Sequence, residues 1–257
     1  MRISATIITW NEESNLRRAC ESLQGVADEV IVVDSESRDR TVEIARQFTP
    51  HVYVQPFIDY SKQKNFAASK STYPWILSLD ADECLSDRLR RSILDQKSVP
   101  EPPLAAFRCS RLANYLGGWI HHSGWYPDYK VRLYHRDRAR WVGEYVHESL
   151  AVDGPIGKLD GDLLHYTAAT VEEHIERLNR YTTLAARQAA AKGKKFSMWV
   201  CTTSPLLSFL KSYVFRLGFL DGWRGLSIAS LAAWYIFVRE VKLRELNRAA
   251  PDAGEQV

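Results

Sequence analysis

The sequence predicts an α/β fold: a mostly parallel sheet with helices on both faces, followed by a C-terminal helical extension. Three observations predict it. Over the first hundred residues, apolar β-branched runs alternate with segments of helical period, as in a parallel sheet with crossover helices. The strand-like runs end in polar clusters, Thr9-Trp10-Asn11-Glu12, Asp34-Ser35-Glu36 and Asp80-Ala81-Asp82, which such a sheet gathers along its carboxyl rim, where ligands bind. Beyond residue 195 the chain becomes aromatic and basic.

The elements follow in order. Residues 3–9 are apolar and β-branched, a buried first strand, with no signal-peptide core and cleavage site. Residues 13–23 repeat apolar positions at Leu16, Ala19, Cys20 and Leu23 and stop at Gly25, a helix. Residues 30–33 form a second strand that delivers Asp34, and 41–48 a second helix. "HVYVQPF" is a short third strand halted by Pro56, 60–70 a helix, and "YPWILSLD" a fourth strand. From 104 to 165, strand-like pieces ("AAFRCSRLANYL", "DYKVRLYHR", "ESLAVDG") are separated by turns and are rich in Trp, Tyr, His and Arg. One amphipathic helix spans 171–191, a break follows at 192–195, and two helices are expected at roughly 204–217 and 223–247. The expected domains are 1–195, divided into a nucleotide-binding half (1–103) and an acceptor-binding half (104–195), and 196–257, amphipathic helices with a disordered tail.

Bulk composition narrows the class. The chain of 257 residues is 46% apolar and 25% charged with a net charge of +3, which excludes a nucleic-acid polycation. Residues 192–248 carry ten Lys/Arg against three Asp/Glu, so one end of the molecule suits an anionic surface. Four cysteines without CxxC spacing indicate neither a zinc site nor a disulfide framework, and fit a reducing cytosol. The uncharged run 225–238 of the tail has 14 residues, short of the roughly 20 that a membrane span needs. Basic residues among Phe, Tyr and Trp suit a helix lying in a membrane interface instead. A helical hairpin packed on the rest of the chain or on a second subunit gives the same pattern, and a dimer would present two basic tails to one bilayer.

The chemistry concentrates in "SLDADECLSD". Asp80, Asp82 and Glu83 crowd the end of an apolar strand, where like charges repel and are costly to desolvate. A divalent cation would relieve both problems; helix capping by acids is the structural alternative. No GxGxxG and no GxxxxGK[ST] occurs, which argues against a dinucleotide dehydrogenase and a P-loop enzyme.

"TIITWNEESNL", "EVIVVDSESRDRTVEIA" and "KNFAASKSTYPWILSLDADE", in that order and spacing, resemble the family-2 inverting glycosyltransferases of the GT-A fold, a Rossmann-like mixed sheet. The later runs "GWYPDYKVRLYHR", "WVGEYVHESL", "LLHYTAATVEEHIERLNRYT" and "FLDGWRGLSIASLAAWYIF" resemble the bacterial lipopolysaccharide core β-1,4-glucosyltransferase branch. The resemblance spans about residues 1–245. It implies metal-dependent transfer of a sugar, glucose first, from a UDP-sugar to a lipid-anchored glycan at the cytosolic membrane face. Mg²⁺ or Mn²⁺ would neutralise the departing diphosphate. Asp82 is the implied direct ligand, joined by His165. Asp80 would face the ribose or a metal-bound water, beside Ala81. Thr9, Asn11 and Glu12 would line the base and ribose, and Asp34 would accept from the uracil imide. Lys64 matches a basic family position near the nucleotide.

Inverting transfer also needs a carboxylate to take the acceptor's proton. Glu148 ranks first, Glu144 second and Asp128 third. Lys130 and Arg132 are diphosphate contacts or plain strand residues; Trp125 and Tyr126 stack on sugar rings or pack in the core. The paired His121 and His122 lack a partner at metal-ligand spacing and read as acceptor-loop polarity. Rival readings remain: another donor, a polyprenyl-phosphate or peptide acceptor, a nucleotidyltransferase, or a non-catalytic membrane-binding module.

Overall fold

A computed structural model describes residues 1–99, 103–143 and 148–249. Its strands are β1 (Ile3–Thr9), β2 (Glu29–Asp34), β3 (Val52–Val54), β4 (Trp75–Asp80), β5 (Glu83–Leu85), β6 (Ala106–Tyr115), β7 (Gly118–Ile120), β8 (Asp128–His135), β9 (Ala139–Val142), β10 (Ser149–Val152) and β11 (Ile156–Tyr166). Its helices are α1 (Leu16–Leu23), α2 (Thr41–Phe48), α3 (Tyr60–Ser69), α4 (Asp87–Lys97), α5 (Val171–Ala191), α6 (Met198–Leu210) and α7 (Gly222–Ala249).

The chain divides into two compact units, residues 1–112 with 127–166, and 113–126 with 167–257. The division after Tyr166, rather than at 195, assigns α5 to the C-terminal helices. In the first unit the strand order is β3-β2-β1-β4-β8-β6-β11-β5. The β3-β2-β1-β4 half is parallel; β8 joins β4 antiparallel, and β6 joins β8 likewise. β9 and β10 pair as a separate antiparallel ribbon.

Every residue of β1 is buried, because helices cover both faces of the parallel half. Alternation then splits the strand: Ile3, Ala5 and Ile7 pack with Leu16, Ala19, Leu23, Val32 and Leu79, whereas Ile8 packs with Ile31, Val33 and Ala67 on the opposite face. Gly161 lets β11 meet the start of α4. Its φ is +94°, and an added Cβ would lie 2.3 Å from the Leu89 backbone nitrogen.

All four cysteines are free and buried. Burial pushes the Cys20 and Cys109 thiols up to about 12.

In the second unit the end of β6 pairs with β7. α5 and α7 are tied by Lys242, whose Nζ donates to Asn179 O at 2.8 Å and to the Thr182 and Thr183 hydroxyls at 2.9 and 2.7 Å. α6 starts six residues before its expected place and runs through Pro205, which lacks the N–H of a regular helical turn. A π turn at Lys211–Phe215 and a 3₁₀ turn at Gly218–Asp221 lead into α7. The expected disordered tail lies, from 250 on, outside the described residues. No helix among the described residues is long and apolar enough to cross a membrane.

Candidate active site

The candidate site lies within the first unit, at the carboxyl ends of β1, β2 and β4. β4 is a buried run that ends in Asp80, and a two-residue turn, Ala81 and Asp82, leads into the buried strand β5. β5 pairs antiparallel with β11, setting His165 opposite Glu83. That register carries the next residue to the turn, where Tyr166 N–H donates to Asp82 O at 2.9 Å. His165 Nε2 lies 3.2 Å from Asp82 Oδ2.

The three acids expected to share a cation are divided. Glu83, with a fully buried side chain, accepts from Arg132 Nη2 at 2.6 Å and Arg111 Nη1 at 3.4 Å. Its Oε2 also accepts from the Asp80 N–H at 3.1 Å. Asp80 pairs with Lys64 at 3.0 Å through Oδ1 and with Arg132 at 2.9 Å through Oδ2. Burial pushes the Asp80 carboxyl up, but the charges of Lys64 and Arg132, then His165, hold it well below the usual carboxylate range. Burial acts on Arg132 in the charge-destabilising direction, and Glu83 and Asp80 outweigh it, keeping the guanidinium protonated. Protein cations therefore neutralise Asp80 and Glu83. Asp82 is left with its neighbour His165.

Lys64 projects from the buried face of α3 and is only 2% exposed. Its ammonium lies 4.4 Å from the Trp141 ring centroid and 3.5 Å from Glu148 Oε1, so it bridges the acid turn and Glu148. The next residue, Asn65, holds Trp141 by two backbone bonds, donating to its carbonyl at 2.8 Å and accepting from its N–H at 3.1 Å. Asp128, Lys130 and Arg132 alternate along one face of β8. Asp128 lies opposite Arg111 of β6, accepts from its guanidinium at 2.7 and 3.0 Å and pairs with Lys130 at 3.1 Å.

Thr9 Oγ1, at the end of β1, is buried with no hydrogen-bond partner among the described residues. Asn11 has a left-handed backbone, φ 53°. Its N–H donates to Ser37 Oγ and its Oδ1 accepts from Arg38 N–H, both at 2.8 Å. Glu12 N–H donates to Thr41 Oγ1 at 2.8 Å and its Oε2 accepts from Asn15 at 2.8 Å. Asp34 is buried and accepts from the Ser37 N–H at 2.8 Å and the Ser37 hydroxyl.

The structure thus gathers Lys64, Asp80, Ala81, Asp82, Arg132, Glu148 and His165 at one strand end, with Thr9, Asn11, Glu12 and Asp34 on the neighbouring β1 and β2 loops. Glu144 lies outside the described residues. Trp125 and Tyr126 belong to the second unit, where Trp125 meets the Tyr115 ring edge-on at 5.5 Å. His121 and His122 belong there too, bonded to Asp221. Arg132 faces inward onto the acids rather than outward as a strand-surface residue. Sequence reasoning missed Arg111 and Trp141, which only the β6–β8 register and the Asn65 bonds to β9 bring into place.

Comparisons with known proteins give the family. The model for glycosyl transferase family 2 matches residues 4–138. The chain belongs to glycosyl transferase family 2. It is 34% identical over 256 residues to a Rickettsia typhi protein known as an uncharacterized glycosyltransferase, covering 96% of this chain and 88% of that one. It is 31% identical over 268 residues to the lipopolysaccharide core biosynthesis glycosyltransferase LpsC of Rhizobium meliloti, covering 98% and 96%. Among solved structures, the mannosyltransferase PcManGT of Pyrobaculum calidifontis, in complex with GDP-Man and Mn²⁺, overlays with a TM-score of 0.48 at 15% identity, covering 94% of this chain and 86% of that one. This family-2 glycosyltransferase is built on a mixed α/β sheet followed by a C-terminal helical extension.

Proposed function

We propose that this glycosyltransferase moves a hexose, glucose, from a UDP-sugar to a lipid-anchored saccharide of the lipopolysaccharide inner core, with inversion, at the cytosolic face of the inner membrane. The observation that carries the reading is the Lys64 bridge, which sets the Glu148 carboxylate beside the Asp80-Ala81-Asp82 turn. Its likeness to LpsC along nearly the whole chain supports the acceptor.

The donor set fits a divalent metal. Asp82 and His165 offer one carboxylate and one imidazole within 3.2 Å. Among the described residues no cluster of three His, Cys, Asp or Glu side chains could hold a metal without other ligands. Mg²⁺ and Mn²⁺ commonly use few protein ligands and take the rest from substrate phosphates and water. Charge balance points the same way. Asp80, Asp82, Glu83, Asp128 and Glu148 outnumber Lys64, Arg111, Lys130 and Arg132, so a diphosphate entering without a cation meets a net negative site. When bound, the cation neutralises charge developing on the leaving diphosphate.

The chain's own groups account for the rest. Glu148 accepts the acceptor hydroxyl's proton as that oxygen bonds to the anomeric carbon. The bond from that carbon to the diphosphate oxygen breaks, and UDP leaves with the electron pair. Lys64 holds Glu148 against Asp80, and Thr9 offers its unpartnered hydroxyl to the nucleoside.

The test is calorimetric titration of UDP into wild type and Asp82→Ala, each with Mn²⁺ and with EDTA. Binding by wild type with Mn²⁺, lost in EDTA and in the variant, is the expected result. Preference for GDP overturns the donor assignment, and equal binding by Asp82→Ala overturns the metal seat.

A further inference from the structure

We infer that the tip of the α6–α7 hairpin, residues 206–226, is a membrane-docking element whose partner is the surface of an anionic lipid bilayer. This inference does not depend on the identity of the donor sugar.

The tip carries large apolar side chains outward instead of into a core. Leu206, Leu207, Phe215, Phe219, Leu220 and Trp223 are all exposed, Phe215 at 79%. Six such residues within 18 positions form a concentration of apolar surface that a water-facing helical turn does not need. The backbone enforces the display. After the π turn at Lys211–Phe215, Leu217 takes a left-handed conformation at φ 56°, which a leucine adopts only at a cost. The chain turns there, leaving Phe215 and Leu217 facing out.

Charge selects the partner. The only acid between 198 and 238 is Asp221. Its side chain is 4% exposed, clasped by the His121 and His122 N–H groups at 3.1 Å each, by His122 Nδ1 at 3.0 Å and by the Ser123 hydroxyl at 3.3 Å. The charges left outside are cationic, Lys211 and Arg216, with Arg224 half-buried and donating to Leu116 O at 3.1 Å. A second copy laid on the same patch would bring like charges together. An anionic leaflet attracts each of them and takes the aromatic rings at its interface. With no helix able to span among the described residues, the mode is shallow insertion from one side.

The experiment is flotation of the full chain with phosphatidylcholine vesicles, with and without phosphatidylglycerol, alongside sedimentation velocity without lipid. Wild type should float with the anionic vesicles, and added salt should weaken the binding. Phe215→Ser with Trp223→Ser should weaken it at least about tenfold. Lys211→Ala with Arg216→Ala should abolish the preference for phosphatidylglycerol. All four positions are exposed, and circular dichroism checks the fold of each variant. Unchanged flotation of the Phe215→Ser, Trp223→Ser variant overturns the inference. So does a wild-type dimer that ignores vesicles and dissociates in that variant, because a second copy then covers the face. Retained UDP binding in a variant that no longer floats separates this surface from the active site.

Discussion

Arg132→Met tests whether the protein itself neutralises the acid turn. Arg132 is buried, and its guanidinium meets Asp80 at 2.9 Å and Glu83 at 2.6 Å. Methionine keeps much of the length and removes the charge. Breaking a buried pair by deleting one partner costs about 3–5 kcal/mol. Both acids keep a second cation, Lys64 for Asp80 and Arg111 for Glu83, which places the loss near about 3 kcal/mol. For a chain of this size each kcal/mol lowers Tm by about 2–4 °C. Thermal unfolding followed by circular dichroism at neutral pH should therefore fall by about 6–12 °C. The sign of the pH dependence follows from Asp80, whose carboxyl is held low in the fold by Lys64 and Arg132 against the effect of burial. Such a group contributes stability above its unfolded pKa, near 4, and that contribution is lost as pH falls. The gap between variant and wild type should narrow from about pH 5 downward, because a protonated Asp80 no longer needs the guanidinium. Adding Glu83→Gln should recover part of the loss. An unchanged Tm at neutral pH would refute the reasoning, and a gap independent of pH would assign it to packing.

Two further outcomes are expected. Glu148→Gln should lower kcat by about 10²–10⁴-fold with UDP affinity retained; a wild-type pH–rate profile and rate in that variant would remove Glu148 as the base. Gly161→Ala should destabilise by about 3 kcal/mol or more, since strain at φ +94° adds to the clash with the Leu89 backbone. Urea unfolding with a midpoint equal to wild type would show that α4 and β11 can separate freely.

The parallel half of the sheet was legible because strands covered on both faces are written as continuous apolar runs, and α1 and α2 as clean 3.6-residue repeats. β5, β7 and β9 were not legible. With three or four residues each, they are too short to show a period; β3 and β10 are no longer, but Val-Tyr-Val before Pro56 marks the first and the Asp-Gly turn that follows marks the second. α5 read correctly as a helix, yet its membership in the second unit comes from packing on α7, where it meets Lys242 some sixty residues away. In the site, the Asp80-Ala81-Asp82 turn and His165 were legible as motifs, and the β5–β11 register brings them together. The division of labour among the acids was hidden. Arg111 and Arg132 look like ordinary strand cations, and nothing local marks Lys64 as buried. Only the assembled sheet shows that they take up the charge a cation was expected to carry.

The four sheltered thiols make the molecule chemically quiet while it is folded. Protonated and out of solvent, Cys20 and Cys109 offer oxidants and alkylating reagents no thiolate to attack. Cys84 and Cys201 are shut away as well. Three of these sulfurs sit in the unit that holds the acid turn and the fourth in the helical unit. Any reagent that reaches them records an opening event, and the residue it marks tells which half let go first.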